Sequence, residues 1–512
     1  MKRPVLLELL LVTGLGTAGA FGFPPWDIFP LTLLAVAALA VLVTNVSPSR
    51  AALLTWVMFT AQNFVGLNWI SEAFLVVIPN MGLGALGPVL CLAAGLSLIP
   101  TLLVYIWQRF WPQVRTGKTA SMLALAICIS GSEWLTGHLF TGLPWAITSL
   151  AASEIGIAQS ASTFGAYGIG LLLLAPSLTV TGAIWRLIHE KNLPVPDICL
   201  VIFTITLLTA SWATHPNPGP KPVAKNDWPV VRLVQGNTAQ REKWKPENQN
   251  KIFSHHIELS KAPARNPLAA VIWSETATPF QVIEAPAAVS AIGRLATLHN
   301  GYVLLGTPTR TDINSGHRQY NNSLIAINAG GKILARYDKA HLVPGGEYIP
   351  FQDFLPFGKL VETRGYFKSG PGIRTIRLDG LPPFSPLICY EVIFPGEVAL
   401  NEDRPDWIVN ITNDAWYGDS AGPYQHLAIS RLRAIEEGLP LVRVANTGIS
   451  AAFDGKGREL GRIELGTSGF LDIALPPPET QTLYARHGDK IYLILLIILS
   501  AVSLLPCTFR SS

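Results

Sequence analysis

The sequence predicts a bundle of membrane-spanning helices joined to a polar α/β domain. Of the 512 residues, 49% are apolar and only 14% are charged, which is far from the composition of ordinary soluble proteins. Residues 1–213 and the stretch 491–507 are nearly devoid of charge, whereas 214–487 are polar with short β-rich runs. We therefore expect transmembrane helices 1–7 within 1–213, a polar domain over 214–487, and an eighth helix with a short tail over 488–512.

The predicted spans follow from the thickness of a bilayer, which requires about 20 apolar residues in helical form. Eight runs of the chain satisfy this length: 4–23, 29–46, 51–72, 82–108, 120–139, 161–188, 196–213 and 491–508. The run 82–108 is long enough to tilt in the membrane or to include a re-entrant piece.

The short loops predict the orientation, because cytoplasmic loops are enriched in Lys and Arg. With the amino terminus inside, every cation before Lys221 falls on the cytoplasmic side: Lys2, Arg3, Arg50, Arg109, Arg115, Lys118, Arg186 and Lys191. Seven spans then place residues 214–487 outside. Residues 1–20 also fit the pattern of a cleaved signal peptide, and removing them leaves this placement unchanged.

The polar block alternates buried strand patterns with helical ones, which predicts helices packed on sheet faces. Helices are predicted at Pro246–Leu259, Ala285–His299 and His426–Glu437. The predicted strands are VVRLVQGN, AAVIWSET, GYVLLGTP, NNSLIAIN, FSPLICYEV, DWIVNITND and PLVRVANTG. Reactive residues in such folds gather where strands end, so we expect the side chains that follow these strands to converge on one edge: Glu275, Cys389, Asn413 and Asn446.

Cys389 is the one cysteine of the polar block, since Cys91, Cys128, Cys199 and Cys507 belong to hydrophobic segments. An unpaired cysteine in a strand is ordinarily a small buried apolar residue. It becomes a nucleophile when a base accepts its proton and a donor stabilises the oxyanion of the intermediate. Glu275, at a strand end, and Lys339, in a turn, supply both kinds of group.

A Glu, a Lys and a Cys in this order, each at a strand-to-loop junction, resemble the nitrilase superfamily of carbon-nitrogen hydrolases. The most specific pieces are YDKAHLVPGGEY and LICYEV, and ITNDAWYG with RLRAIEEGLPLVRVANTG extends the match over most of residues 230–473. The resemblance implies an αββα sandwich for the polar block.

Together with eight spans, the chain resembles the apolipoprotein N-acyltransferase family of the bacterial inner membrane. PPWDIFPL, NWI, GLPW and VQGNTAQREKW are similar to that family's segments, whereas Ser274 and Asn68 depart from its pattern. The resemblance implies transfer of an acyl chain from a phospholipid to the amino-terminal diacylglyceryl-cysteine of an apolipoprotein. It also implies a multi-pass monomer in the lipid bilayer, with its catalytic domain facing the periplasm.

The resemblance assigns the catalytic roles to matched positions. Cys389 would attack the ester, Glu275 would act as general base, and Lys339 would stabilise the oxyanion. Supporting and orienting roles would fall to Glu347, Tyr390 and Glu391. The lipid entrance would include aromatic side chains: Trp244, Trp416 and Trp145.

No cofactor is predicted, because the sequence has neither a Walker nor a dinucleotide-binding glycine pattern, and its histidines show no metal-ligand spacing. No basic run predicts a nucleic-acid partner. Two alternatives remain open. A membrane-tethered amidase of the nitrilase type, acting on a small amide, would need only one or two spans as an anchor. A transporter would need ionisable residues within its spans, where Glu133 is the main candidate.

Overall fold

The computed structural model describes residues 5–110, 117–311, 319–348 and 367–504, and these residues divide into two compact units. The first unit comprises Met1–Asn217 and Leu483–Ser512, and the second comprises Pro218–Thr482. The α-helices are, in chain order, α1 Val5–Ala20, α2 Phe29–Val43, α3 Pro48–Gly66, α4 Ile70–Val77, α5 Leu86–Leu96, α6 Leu98–Phe110, α7 Lys118–His138, α8 Thr148–Ala151, α9 Ala161–His189, α10 Val195–Thr214, α11 Gln240–Lys243, α12 Gln249–Lys261, α13 Pro286–His299, α14 Gly422–Glu437, α15 Leu483–His487 and α16 Lys490–Ser503.

The first unit is helical and rich in apolar helices, as predicted. Among the described residues, four stretches are long and apolar enough to cross a membrane: Pro79–Phe110, Lys118–His138, Gly156–His189 and Val195–Thr214. Shorter apolar helices are Val5–Ala20, Phe29–Val43 and Lys490–Ser503. The predicted span 82–108 is divided between a 3-10 helix at Pro79–Ala85 and the helices α5 and α6. The end of the predicted span 491–508 lies outside the described residues.

A buried carboxylate stabilises the fold of this unit. Glu133 on α7 accepts hydrogen bonds on one oxygen from the backbone N–H and the hydroxyl of Thr148, at 2.8 and 2.5 Å. Thr148 begins the short helix α8, so the carboxylate binds the unpaired donors of a helix amino terminus. Glu133 therefore has a structural role in this unit, and its position within a predicted span does not by itself indicate a transport pathway.

The second unit contains two six-stranded sheets. The strands are β1 Val230–Gln235, β2 Leu268–Trp273, β3 Tyr302–Thr311, β4 Gln319–Ile327, β5 Ile333–Asp338, β6 Ile376–Leu378, β7 Leu381–Ile388, β8 Trp407–Thr412, β9 Leu441–Ala445, β10 Ser450–Phe453, β11 Glu459–Ile463 and β12 Gly469–Ala474. The first sheet has the order β12-β1-β2-β3-β4-β5, and the second has the order β11-β10-β9-β8-β7-β6.

The two sheets share an apolar core, and helices cover their other faces. Leu233 and Ile272 of the first sheet belong to the same buried cluster as Phe384 and Ile411 of the second. The opposite face of the first sheet packs against α12 and α13, and α14 packs against β9 and β10. This arrangement is an αββα sandwich, as expected for the polar block.

The predicted strand and helix patterns were largely correct, although several of the quoted runs extend past the strands they contain. The run FSPLICYEV continues to Val392, whereas β7 ends at Ile388 and Cys389–Ile393 form a 3-10 helix, so Cys389 follows the strand as predicted. Hydrophobic runs report burial and do not distinguish a buried strand from a buried turn. The difference matters because Cys389 lies at this junction.

Candidate active site

Cys389 occupies a sharp turn between β7 and the 3-10 helix that follows. Its φ angle is +54°, in the left-handed region that costs a non-glycine residue about 1–3 kcal/mol. A reactive side chain on a tight strand-to-helix turn is a known way of presenting a nucleophile. The Cys389 carbonyl accepts a hydrogen bond from Asn410 on β8 at 3.4 Å, which helps to hold this backbone.

Glu275 follows β2, and its backbone lies tightly against β3. A methyl group at Gly306 would come within 2.6 Å of the Glu275 Cα atom, so glycine is required at this position for the two segments to meet. The Gly306 N–H donates to the carbonyl of Ser274 at 3.2 Å. Glu275 is thereby fixed by backbone contacts as well as by its own side chain.

The Glu275 carboxylate is buried and is bound by an amide. Asn322 on β4 donates to Glu275 Oε1 at 2.6 Å. Burial raises the pKa of Glu275, and the positive charge of Lys339 partly opposes this rise. The carboxyl group is therefore a stronger base than an exposed glutamate, which suits a group that must accept a proton.

Lys339 follows β5 and points between two carboxylates. Its Nζ atom lies 2.8 Å from Glu347 Oε2 and 3.9 Å from Glu275 Oε1. Burial favours the neutral amine, but the carboxylates of Glu347 and Glu275 outweigh it, so the pKa of Lys339 is raised above its ordinary value. Lys339 is thus a fully buried ammonium ion.

Glu347 is held by two contacts besides Lys339. The backbone N–H of Val343 donates to Glu347 Oε2 at 2.8 Å, and Asn322 donates to Glu347 Oε1 at 3.2 Å. The amide of Asn322 therefore bridges Glu275 and Glu347. The sequence predictions did not include Asn322, although it lies in a predicted strand, because an asparagine in an apolar run carries no specific signal.

The Glu391 carboxylate accepts hydrogen bonds that hold the turn around Cys389 in place. One carboxylate oxygen accepts hydrogen bonds from the Tyr337 hydroxyl and the Ala340 N–H, both at 2.7 Å, and from the His341 N–H at 3.1 Å. The other accepts from the Ile388 N–H at 2.7 Å. The segment that carries Lys339 and the strand that precedes Cys389 are thus tied to one carboxylate.

Burial and the charges around Cys389 favour the protonated form of its thiol. Burial and the Glu275 carboxylate raise the pKa of Cys389 to about 12, while Lys339 acts in the opposite direction. An isolated cation beside the thiol would have produced a standing thiolate, but here the carboxylates of Glu275 and Glu347 surround that cation. The direction of this shift favours a protonated thiol in the neighbourhood of the Glu275 carboxylate.

A second buried network lies close to Cys389 and was absent from the predicted site residues. Arg443 on β9 binds Asp414 at 2.6 Å and the Asn410 side chain at 2.7 Å, and His426 on α14 contacts Asp414 at 3.1 Å. Although burial opposes ionisation, Arg443 and His426 lower the pKa of Asp414. Asn410, which binds the Cys389 carbonyl, is oriented by this network.

The predicted aromatic residues have different environments. Trp244, directly after α11, is 46% exposed, and Trp416 is partly buried at the end of a 3-10 helix. Tyr390 is buried and meets the ring of Phe394 edge to face, with centroids 5.1 Å apart. Trp145 belongs to the first unit, where it is buried against Trp69 with ring centroids 4.5 Å apart. Within the part of the chain that the structure describes, no group of three or more His, Cys, Asp or Glu side chains could hold a metal ion.

The second unit is a carbon-nitrogen hydrolase domain, since residues 230–484 match the family model described as "Carbon-nitrogen hydrolase". Residues 15–178 match the model described as "Apolipoprotein N-acyltransferase N-terminal domain". Two curated relatives, from Rhodopseudomonas palustris and Bradyrhizobium diazoefficiens, both bear the name apolipoprotein N-acyltransferase. They are 34% and 36% identical to the chain, each over 98% of its length and over 95% and 97% of their own. The chain therefore belongs to the apolipoprotein N-acyltransferase family, which confirms the predicted resemblance.

Among solved structures, the chain is similar to a CN-hydrolase superfamily protein from Xanthomonas campestris, which is 21% identical, with a TM-score of 0.37, over 49% of this chain and 91% of that one.

Proposed function

We propose that the protein transfers a fatty acyl chain from a phospholipid to the α-amino group of the amino-terminal diacylglyceryl-cysteine of apolipoproteins. The observation that carries this proposal is a buried cysteine on a left-handed turn beside a buried Glu–Lys–Glu cluster, in a chain that belongs to this family. Glu275, Lys339 and Cys389 form the catalytic triad. The whole reaction completes lipoprotein maturation at the membrane surface.

The first half of the reaction forms a thioester. Glu275 accepts the thiol proton as Cys389 Sγ attacks the ester carbonyl, and a tetrahedral oxyanion develops. Lys339 stabilises that oxyanion, because a buried ammonium acts in a medium of low dielectric constant. The C–O bond then breaks, and the lysophospholipid hydroxyl leaves with the proton from Glu275.

The second half transfers the acyl chain to nitrogen. The neutral α-amine attacks the thioester carbonyl, Glu275 accepts a proton from nitrogen, and Lys339 again stabilises the oxyanion. The C–S bond breaks to give the amide, and the departing sulfur regains its proton from Glu275. The two halves share one site, which predicts ping-pong kinetics.

The location proposed for this chemistry is the bacterial inner membrane, with residues 214–487 in the periplasm. The short-loop charges support this orientation whether or not the first span is retained. ATP and coenzyme A are scarce outside the cytoplasm, whereas phospholipid is abundant there. Trp244 and Trp416 are proposed to line the lipid entrance. The amidase alternative is not favoured, because the match over residues 15–178 is to an acyltransferase domain.

The decisive experiment separates the two halves. Purified protein receives a phospholipid with an alkyne-tagged acyl chain, without an acceptor. We expect mass spectrometry to find the added acyl group on the peptide containing LICYEVIFP, and hydroxylamine to release it as expected for a thioester. A diacylated lipopeptide should then discharge it and become N-acylated.

The matched controls are Cys389→Ala and Cys91→Ala. Cys389→Ala should neither load nor transfer, whereas Cys91→Ala should behave as the unmodified protein, because Cys91 belongs to the apolar helix α5. Transfer at the normal rate by Cys389→Ala would disprove the covalent mechanism.

A further inference from the structure

Lys243 is a buried lysine that the mechanism above does not use. It ends the short helix α11 and is only 1% exposed. Two residues further, Lys245 is exposed and pairs with Glu242 at 2.6 Å. Burying an ammonium group is costly unless it gains a partner, so the inward orientation of Lys243 requires an explanation.

The partner of Lys243 is the backbone of the proposed general base. Its Nζ atom donates to the carbonyl oxygen of Glu275 at 3.2 Å. Among the residues that the structure describes, none of the ion pairs within 4.0 Å includes Lys243. The buried amine of Lys243 is therefore held by a neutral carbonyl group, and that carbonyl belongs to Glu275.

Few titratable groups face Lys243. They are the Glu275 carboxylate after β2 and the His256 ring on α12, which packs against Trp273 with centroids 5.2 Å apart. Burial lowers the pKa of His256 to about 4, so this ring is neutral near pH 7. Burial also lowers the pKa of Lys243 to about 7, although Glu275 opposes it.

On the far side, Glu275 faces Lys339, and Glu347 lies beyond that lysine. Glu275 thus has a lysine on each side, and Lys243 carries its positive charge in the acidic range, below its pKa of about 7. Lys339 pairs with Glu347 and, in the proposed mechanism, stabilises the oxyanion. Among the charged groups described, Lys243 interacts with Glu275 alone.

We propose that Lys243 is a positioning residue for the general base: it fixes the Glu275 backbone where β2 ends, and its positive charge favours the carboxylate form. This inference rests on the proposed role of Glu275 as base. It gives the segment VQGNTAQREKW a function in the reaction itself, beyond its place at the opening of the domain.

The proposal predicts the direction of a pH shift. Glu275 must be a carboxylate to accept the Cys389 proton, so thioester formation is present above the pKa of Glu275 and is lost as the pH falls through it. Removing the charge of Lys243 removes an influence that lowers this pKa. The acidic limb of the pH–rate profile should therefore move to higher pH, by up to about one unit.

The experiment measures single-turnover loading of Cys389 from the alkyne-tagged phospholipid, between about pH 5 and about pH 9, with the full chain in a lipid bilayer disc. Four variants are compared: Lys243→Met, Lys243→Gln, Lys243→Arg and Lys245→Met. Lys243→Gln keeps an N–H donor without the charge, Lys243→Arg keeps the charge, and Lys245→Met is the exposed control. Thermal unfolding is recorded for each.

We expect Lys243→Met and Lys243→Gln to shift the acidic limb upward, and Lys243→Arg and Lys245→Met to keep it in place. If Lys243→Met fails to fold, the result for Lys243→Gln decides the test. A profile for Lys243→Gln that overlays the unmodified protein, or a failure of that variant to fold, would assign Lys243 a purely structural role and overturn the proposal. Absence of loading in the unmodified protein would instead refute the proposed function, and this inference with it.

Discussion

Lys339 Nζ and Glu347 Oε2 lie 2.8 Å apart, so the principal partner of the buried ammonium is not the proposed base. Glu275 Oε1 is 3.9 Å away. In the proposed mechanism Glu275 alternates between carboxylate and carboxylic acid, and a lysine anchored on it would lose its anchor at each proton transfer. Glu347 takes no part in those proton transfers, so it would hold Lys339 in position through both halves of the proposed reaction.

Replacing Lys339 by arginine should impair loading nearly as much as replacing it by alanine. The charge survives, but a planar guanidinium cannot occupy the position of a compact ammonium among Glu347, Glu275 and an oxyanion. Both variants should lose about 10²–10³ in the loading rate. Single-turnover loading from tagged phospholipid measures this loss. Near-normal loading by Lys339→Arg would show that a positive charge alone suffices.

Glu347→Gln should move the acidic limb of the pH–rate profile to lower pH. The negative charge of Glu347 raises the pKa of Glu275, so its removal lowers that pKa, and the base remains ionised in more acidic solution. The plateau rate should also fall, by less than the about 10²–10³ expected for loss of Lys339 itself. The same loading assay measures both quantities. The expected shift is opposite in sign to that of Lys243→Met, and shifts of equal sign would contradict the electrostatic account.

Glu275→Gln should make the Cys389 thiol more acidic and at the same time slow its loading from phospholipid. The negative charge of Glu275 helps to raise the pKa of Cys389 to about 12, so the amide should lower that pKa and speed alkylation by iodoacetamide at about pH 8. Loading from phospholipid should slow by about 10²–10⁴, because the base is gone. Peptide mass spectrometry of the LICYEVIFP segment follows both reactions. Slower alkylation together with slower loading would indicate a collapsed site.

Glu391→Ala should destabilise the second unit far more than Tyr337→Phe. The alanine variant removes the acceptor of three backbone N–H groups and one hydroxyl, and each buried donor left without an acceptor costs about 1–3 kcal/mol. Tyr337→Phe removes only one of these hydrogen bonds. Thermal unfolding in detergent should rank the melting temperatures as unmodified, Tyr337→Phe, then Glu391→Ala. Equal melting temperatures would show that Glu391 does not hold the turn.

A reporter that is active only outside the cytoplasm should be active when it is fused after Pro220. Seven spans with cations on the cytoplasmic side place this position outside. Fusion of the same reporter after Arg109, on the opposite side in the predicted topology, should be inactive. The reverse pattern would invert the topology and remove the basis for a periplasmic reaction.

Most of the strands and helices that position the site could be predicted, because β1, β7, β8 and β9 are buried apolar runs closed by turn residues. The strands β5, β6, β10, β11 and β12 were not predicted. Most residues of β5 and β12 are only partly buried, so these two strands lack the continuous apolar pattern of a buried strand. The strand β12 joins the sheet through the pairing of Val230 with Ala474, across most of the second unit. Local periodicity carries little information about such distant pairing, which depends on tertiary packing.

The sequence by itself determined the apolar helices, the α/β character of the polar block, and the order of Glu275, Lys339 and Cys389 in family-specific segments. These features depend on composition and on neighbouring residues along the chain. Only the tertiary structure decided that Glu347 is the nearer partner of Lys339, that Asn322 bridges two carboxylates, and that Lys243 is buried while Lys245 is exposed. Hydrogen bonds and pKa shifts depend on distances of a few ångströms between residues far apart in the chain, and folding alone sets those distances.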